Sequence, residues 1–239
     1  MKYYELVCST YLRENIHLND TFDVISKFIN YTMLNNSLLK SLHKDRSIKF
    51  YTFNSFTKIE KDKIYKKGKI YNIEIRSPNK DLLNLLEKYI KLNTNNHKLI
   101  VVDTYLKSVN VDKIESFVTV SPTILTTNGM FWTIKDNGDL SILIKQLHNN
   151  LEKKYNIFYN TNLNAKENFI DTIQLLNSFT IPIKITKNKK DILLLGNKFK
   201  IKPKQDETSQ KLAFMALSCG LGEKNSFGGG FCKRLMQHS

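Results

Sequence analysis

The sequence has few of the features that mark a secreted, membrane-bound or zinc-stabilised protein. Its 239 residues include three cysteines, Cys8, Cys219 and Cys232, which are odd in number and form no CxxC pair. They predict neither a disulfide framework nor a structural zinc site. The longest aliphatic runs, 99–102 and 192–195, are too short to span a bilayer, and the first ten residues have no signal-peptide apolar core. We therefore expect a cytoplasmic protein that makes no membrane contact.

Common catalytic and cofactor motifs are also missing. The five histidines form no HxxxH pair, and the carboxylates form no cluster of the kind that a two-metal nuclease uses. Neither a GxSxG sequence nor a Walker A sequence occurs. We expect no metal and no other cofactor, so an enzyme with this sequence would have to act through its own side chains.

Positive charge is the strongest compositional feature. Lysine and arginine total 37 against 22 acidic residues, a formal net charge of +15, and lysine supplies nearly all of the excess. Such a field attracts polyanions, nucleic acid first and acidic membrane second. The lysines come with many asparagines, a pairing that AT-rich codon usage also produces, so a merely solubilising surface is the alternative. The charge favours nucleic acid.

Hydrophobic periodicity predicts an α+β fold made of two tandem ferredoxin-like (RRM-like) βαββαβ domains. In the first half we predict strands at 1–12, 49–56, 68–77, 98–109 and 114–125 and helices at about 21–32, 37–43 and 80–92. In the second half we predict strands at 130–134 and 231–236, a basic strand pair within 181–204, and helices at 140–155, 168–177 and 209–218. The predicted domains are residues 1–122 and 129–239.

Glycine is scarce except in one loop. Five of the nine glycines lie within residues 220–230, the glycine-rich loop. It follows a predicted helix and precedes a strand, which is the wrong order for a dinucleotide-binding fingerprint. The pattern fits either a tight loop packed on a sheet or a loop that approaches RNA closely through its backbone. On the second interpretation the RNA-binding residues are Gly220, Gly222, Lys224, Asn225, Ser226, Gly228 and Gly230.

A row of lysines lies in the second strand of the predicted basic pair, upstream of the glycine-rich loop. Lys198, Lys200, Lys202 and Lys204 recur at period two, which on a strand places them on one face. A strand edge guarded by lysine against aggregation has the same pattern. Four cations on one face favour a surface that follows an RNA backbone over a protected strand edge. We therefore predict that this lysine row binds RNA.

The glycine-rich loop resembles the signature of the CRISPR-associated repeat-processing endoribonucleases, the Cas-six family. The pattern is glycine, apolar residue, glycine, five residues and then Gly-x-Gly before a C-terminal strand, with Gly229 standing where an apolar residue is usual. The helix text TFDVISKFI and the strand text GKIYNIEIRS are also similar to that family. The resemblance is strongest over residues 1–78 and 208–235.

This resemblance implies a metal-independent endoribonuclease that cleaves CRISPR repeat RNA within precursor transcripts to give guide RNAs. The 2′-hydroxyl of RNA attacks the adjacent phosphate, leaving a 2′,3′-cyclic phosphate and a 5′-hydroxyl, so the protein must position the strand, move protons and stabilise charge. The family's catalytic tyrosine, histidine and lysine match Tyr31, His43 and Lys49. Lys40 and Lys44 remain alternatives to Lys49, and Tyr31 fits a core position equally well.

The spacing of the first two candidates requires a break in the chain. On one unbroken helix Tyr31 and His43 would lie about 18 Å apart, too far to share a phosphate. Asn35 and Asn36 interrupt the helical pattern, and Asn36 can cap a second helix.

Three interpretations of function therefore remain open. The favoured one is the endoribonuclease, whose partners would be precursor and processed CRISPR repeat RNA. The second is a non-cleaving RNA-binding subunit of a CRISPR ribonucleoprotein, and the third is an unrelated basic RNA-binding module. Assembly into a CRISPR effector complex or a homodimer is compatible with the first two.

Overall fold

The computed structural model describes residues 1–45 and 47–235. In chain order, the elements of the first half are β1 (Lys2–Leu12), β2 (Ile16–His17), α1 (Thr21–Met33), α2 (Ser37–Lys44), β3 (Thr52–Phe53), β4 (Ile64–Tyr65), β5 (Ile70–Ser77), α3 (Lys80–Leu92) and β6 (Leu99–Asn110). Those of the second half are β7 (Ser116–Thr119), β8 (Thr123–Ile124), β9 (Thr126–Thr127), β10 (Met130–Phe131), α4 (Ile134–Asn137), α5 (Leu140–Tyr159), β11 (Ile170–Leu175), β12 (Ile181–Lys187), β13 (Lys190–Asn197), β14 (Phe199–Pro203), α6 (Glu207–Cys219) and β15 (Cys232–Leu235).

The first sheet is antiparallel and has the order β3-β5-β1-β6. Helices α1 and α3 contribute their apolar stripes to the core beneath it, with Phe28 and Leu83 fully buried against Leu6 and Ile75 of the strands. The order of these strands along the chain and across the sheet is that of a ferredoxin-like βαββαβ unit.

The second sheet repeats this topology. Its order is β11-β14-β7-β15, again antiparallel throughout, and the chain runs β7, α5, β11, β14, α6, β15. Helix α6 is buried along most of its length, and its core includes Phe117, Phe199 and Phe214. The prediction of two tandem ferredoxin-like units is confirmed. The boundary between residues 122 and 129 stays a prediction, and β7, which precedes it, pairs with strands of the second sheet.

A β-hairpin inserted between β11 and β14 reaches back to the first repeat. Strands β12 and β13 pair with each other, and β13 also pairs with β8. The backbone N–H of Thr186 donates to the Asp23 carboxylate at the start of α1 (2.8 Å), and Lys184 lies 2.5 Å from Asp20. The insertion therefore ties the second repeat to α1.

One prediction for the second half is wrong, and another is incomplete. Residues 168–177, predicted as a helix, contain strand β11, in which Ile173 and Leu175 pack against the core and Thr172 and Gln174 are exposed. A six-residue alternation is short enough to pass for helical spacing, and pairing with β14 decides it. The strand pair predicted within 181–204 is present as β12 and β13, but the stretch also holds a third strand, β14, which joins the second sheet.

Three predicted strands are shorter than expected. Within 49–56 only Thr52–Phe53 is a strand, because Phe50 has a left-handed backbone (φ 47°) that interrupts the extended chain. Within 114–125 the chain breaks between Thr119 and Thr123, around Pro122, and within 130–134 it turns into α4, which Thr133 caps. The predicted end of the last strand, Met236, lies outside the described residues.

The two repeats meet at a buried guanidinium. Arg76 of β5 donates to the Glu5 carboxylate (2.6 Å) and to the Cys232 carbonyl, and its guanidinium lies 4.3 Å from the Phe231 ring centroid. Tyr3 of β1 packs into the second core beside Phe214, with ring centroids 6.3 Å apart. The first sheet is therefore fixed against the strand that follows the glycine-rich loop. Among the helices of the described residues, none combines the length and apolar character needed to cross a bilayer.

Candidate active site

Helix α2 brings His43 to the edge of the first repeat. The Asn36 side chain caps the helix by accepting hydrogen bonds from the N–H groups of Leu38 and Leu39, and Leu39 is buried in the first core. The helix is a separate element after the break at residues 34–36, as the sequence predicted. His43 lies in its last turn and is half-buried.

Lys49 lies beside His43. Its ammonium donates a 2.7 Å hydrogen bond to the His43 backbone carbonyl. Burial lowers the pKa of His43, and the nearby positive charge of Lys49 lowers that pKa further. Burial likewise lowers the pKa of Lys49, and Asp45 opposes that change. The imidazole Nδ1 is buried and has no hydrogen-bond partner among the described residues. The arrangement favours a neutral imidazole next to a cation.

A residue with a left-handed backbone follows Lys49. Phe50, at φ 47°, packs its ring against Phe158 of α5 with centroids 5.2 Å apart, whereas the next residue, Tyr51, is buried in the first core. Adjacent side chains are thus held by different repeats. Lys49, the residue before Phe50, lines a cavity between the repeats.

The glycine-rich loop forms the opposite side of that space. A buried ammonium, that of Lys154 on α5, donates to the carbonyls of Gly220 and Gly222 (2.7 Å each) and to Asn225 Oδ1 (2.8 Å). The Asn225 amide in turn donates to the carbonyls of Leu221 and Gly229. These five hydrogen bonds connect both arms of the loop to one helix.

The glycines predicted to bind RNA are packed inside the loop. All four, Gly220, Gly222, Gly228 and Gly230, are buried and have positive φ. At Gly230 (φ 66°) a Cβ atom would overlap the Leu221 carbonyl, and at Gly228 (φ 86°) it would overlap the Phe22 ring. The absence of a side chain therefore has a packing reason at these positions. Their predicted contact with RNA stays a prediction.

A cavity of about 300 Å³ lies between the chain around Lys49 and the glycine-rich loop. Its lining includes Lys49 from the first repeat and the loop tip, Lys224, Asn225 and Ser226, from the second. Lys224 is exposed, and Asn225 and Ser226 are half-buried. The structure thus brings Lys49 together with the three predicted tip residues. His43 is not among the residues that line the cavity, and its contact with Lys49 is through its backbone carbonyl.

Tyr31 is separate from this group. Its side chain is 51% exposed on α1, and no hydrogen bond joins its hydroxyl to His43 or Lys49. Lys40 and Lys44, the alternatives to Lys49, are exposed on α2, and neither is among the residues that line the cavity. Of the lysines considered, Lys49 is the one that the structure joins to His43.

The lysine row is divided between different surroundings. Lys200 and Lys202 are exposed on the outer face of β14. Lys202 lies 2.9 Å from Asp171, and Lys204 lies 2.7 Å from Glu167. Lys198 lines a second cavity, of about 460 Å³, at the junction of the repeats, and burial lowers its pKa. Among the described residues, Lys200 has no carboxylate within salt-bridge distance.

Sequence reasoning missed Lys154 and Phe50. Lys154 carried a signal, because it lies three residues after Leu151 on the inward stripe that Leu143 and Leu147 define, and a lysine on an apolar stripe needs a buried partner. No sequence pattern marks the left-handed conformation of Phe50.

Comparisons with known proteins bear on the whole chain. A family model described as "CRISPR associated protein Cas6, C-terminal" matches residues 106–234. A Methanocaldococcus jannaschii protein, "CRISPR-associated endoribonuclease Cas6 2", is 29% identical over 229 residues, or 88% of this chain and 92% of its own. A solved structure described as "CRISPR associated protein Cas6" has a TM-score of 0.69 at 22% identity and covers 99% of both chains. Another, "An RAMP protein binding different RNA substrates", has a TM-score of 0.68 at 18% identity and covers 99% of this chain and all of its own.

Proposed function

This chain belongs to the Cas6 family of CRISPR-associated proteins, and we propose that it is an endoribonuclease that cleaves CRISPR repeat RNA within precursor transcripts to give guide RNAs. Two features support this proposal besides the family. A net charge of +15 favours a polyanionic substrate, and the M. jannaschii relative is named an endoribonuclease.

The scissile phosphate lies, in this proposal, in the cavity between Lys49 and the tip of the glycine-rich loop. The single observation that carries the proposal is that Lys49 is hydrogen-bonded to His43 and also lines the same cavity as Lys224, Asn225 and Ser226. A phosphodiester there would meet a cation on one side and polar loop groups on the other.

The reaction follows from these positions. The RNA supplies its own nucleophile, so a metal is not required to generate one. His43 acts as general base or acid, and its lowered pKa suits the neutral form that accepts the 2′-hydroxyl proton at neutral pH. Lys49 stabilises the charge that builds on the phosphorane. The products are a 2′,3′-cyclic phosphate and a 5′-hydroxyl.

The remaining candidates act on the RNA around this point. Tyr31, exposed on α1, orients the strand or joins the proton transfer when RNA covers it. The lysine row follows the RNA backbone over the second sheet, and Lys200 is its exposed member that forms no salt bridge with the described residues. RNA readers of this kind recognise the shape of a stem and its unpaired flanks.

The test uses a CRISPR repeat RNA from the same genome with excess EDTA. We expect a single cut, a cyclic phosphate on the upstream product, and no cut when the scission nucleotide is 2′-deoxy. Changing His43 to Ala should slow cleavage by about 10³-fold with RNA affinity retained, whereas His97→Ala, at an exposed loop histidine, should cleave normally.

Each other outcome has a definite meaning. Binding without a cut would identify a non-cleaving RNA-binding subunit of a CRISPR ribonucleoprotein. A cut that requires a metal would remove the metal-independent mechanism, and a cut that survives His43→Ala would remove this active site. Light scattering of the RNA complex distinguishes a monomer from a homodimer.

A further inference from the structure

Helix α5 places a buried cation in the lining of the cavity. Lys154 is 2% exposed, and its ammonium nitrogen makes three hydrogen bonds, to Gly220 O, Gly222 O and Asn225 Oδ1. An ammonium has three N–H donors, so its hydrogen bonding is complete. The three acceptors are neutral carbonyl oxygens. The hydrogen bonds of this lysine are therefore satisfied, but its charge is not neutralised by them.

Within the part of the chain that the structure describes, no carboxylate lies within salt-bridge distance of the Lys154 ammonium. Burial lowers the pKa of Lys154, and the carboxylate that opposes this change is Glu223, whose two oxygens accept hydrogen bonds from Thr126. The other titratable groups facing Lys154 are the thiols of Cys219 and Cys232, and burial raises the pKa of each, that of Cys232 to about 12. Both thiols are therefore neutral at physiological pH.

An uncompensated buried cation beside a cavity is suited to an anion. A charge removed from water is costly unless an opposite charge is close, and the low local dielectric also makes its attraction for an anion strong. Lys49 and Lys224 add two further cations to the lining, against the carboxylates of Asp45 and Glu223. The anion that the proposed function brings to this cavity is a phosphodiester of RNA.

We propose that Lys154 is a positioning residue whose buried charge attracts the scissile phosphodiester into the cavity, while its three N–H groups hold the glycine-rich loop in the shape that receives it. This inference rests on the proposed function. It gives the second repeat a part in the reaction that the sequence resemblance does not assign.

The test is a double-mutant cycle in which the charge is removed from Lys154, from the scissile linkage of the RNA, or from both, and RNA affinity is measured. Two repeat RNAs carry a 2′-deoxy scission nucleotide, and one of them also has an uncharged methylphosphonate at the scissile linkage. We expect Lys154→Met to weaken binding of the phosphodiester RNA by about tenfold and to change binding of the methylphosphonate RNA much less. Lys153→Met, at the exposed neighbour, should affect both RNAs equally.

A purely structural role for Lys154 predicts a different result. In that case Lys154→Met would weaken both RNAs by the same factor, and this would overturn the inference while leaving the proposed function intact. A wild-type protein that neither binds nor cleaves repeat RNA would overturn the proposed function itself.

A second measurement uses the wild-type protein and tests the inference even if the Lys154→Met variant fails to fold. With ¹³C-labelled lysine in the wild-type protein, NMR titration should give a higher pKa for Lys154 in the phosphodiester complex than in the methylphosphonate complex. Equal pKa values in the two complexes would overturn the inference.

Discussion

Two segments meet at the cavity, the α2–β3 segment (residues 37–45 and 47–53) from the first repeat and the glycine-rich loop from the second, and different kinds of contact hold them. In α2 one residue, Leu39, is buried, and Lys49 makes one hydrogen bond to a carbonyl. The loop has buried glycines at both ends and is bound to α5 through Lys154 and Asn225. The candidate proton-transfer group thus lies on the more exposed segment, opposite a firmly packed one.

The difference between the two segments indicates that one is suited to proton transfer and the other to holding the phosphate. Groups that exchange protons with RNA need access and a tunable pKa, which a half-buried histidine provides. A surface that must hold a phosphate in one position needs a backbone that does not move. Substitutions in the loop should therefore reduce stability, and substitutions in the α2–β3 segment should reduce activity with little loss of stability.

The largest effect is expected at Gly230. Gly230→Ala places a Cβ against the Leu221 carbonyl in a backbone that two 2.9 Å hydrogen bonds hold, to Leu221 N–H and to the Pro122 carbonyl. We expect a loss of more than about 3 kcal/mol in the free energy of unfolding, measured with urea. Gly129→Ala is the control, because Gly129 also has positive φ (79°) but its Cβ would meet no atom within 4 Å. Its cost should be about 1 kcal/mol. Equal losses would contradict the packing explanation.

The next effect is on activity, at Lys49. Lys49→Met keeps an unbranched apolar side chain about as long as the lysine stem and removes the charge, so cleavage should fall about 100-fold with little loss of stability. The pKa of His43 should rise toward its ordinary value, because the cation no longer opposes protonation, and burial should keep it below that value. Since a general base acts when neutral, the acid limb of the cleavage profile should move to higher pH.

NMR titration of labelled histidine measures that pKa directly. Lys44→Met is the matched control, since Lys44 is exposed in the same turn and is not a cause of the His43 shift. If both variants left the His43 pKa unchanged, the electrostatic coupling of Lys49 to His43 would be refuted.

A smaller loss of stability is expected at Asn225. Asn225→Ala leaves the carbonyls of Leu221 and Gly229 without their amide donor and removes one acceptor from Lys154. The free energy of unfolding should fall by about 2 kcal/mol. Ser226→Ala, one residue further along the loop, should cost less than about 0.5 kcal/mol, because its hydroxyl bonds to none of the described residues. A larger loss at Ser226 would mean that the loop is held in another way.

The smallest effect concerns the lysine row, outside both segments. Lys200→Ala should lower the slope of log affinity against log salt by about 0.7, the value for one phosphate contact on a single strand. Lys202→Ala should lower it less, because Asp171 already neutralises part of that charge. Neither variant should change the cleavage rate of bound RNA at saturation. Slower cleavage by either variant would mean that β14 contributes to the reaction, which would contradict the assignment of the reaction to the two segments at the cavity.

The sequence is enough to predict the main strands and helices of the first repeat and the break before α2. The period of Leu82, Leu83, Leu86 and Ile90 marks α3, and a polar cap after a broken stripe marks α2. Strand β11 was misassigned because six residues give too few repeats of either period, and partner strands decide such cases. The period-two spacing of the lysine row is visible in the sequence, but the pairing of Lys202 with Asp171 and of Lys204 with Glu167 depends on residues distant in sequence.

The candidate site was only partly predictable for a similar reason. The resemblance supplied His43 and Lys49, and the structure joins them by a hydrogen bond from side chain to backbone, which no residue pattern encodes. The role of Lys154 depends on three carbonyls that face one point, so it emerges from loop geometry and not from residue type.

The contact of Tyr3 and Arg76 with the second repeat has a consequence for synthesis. Tyr3 packs against Phe214 of α6, and Arg76 donates to the carbonyl of Cys232 in β15. During synthesis these partners are made only after the whole first sheet has left the ribosome. Until then Tyr3 and Arg76, which are buried in the finished protein, lack their partners from the second repeat. We expect the first repeat to complete its packing only when β15 leaves the exit tunnel, and a chain stopped before α6 to depend on chaperones.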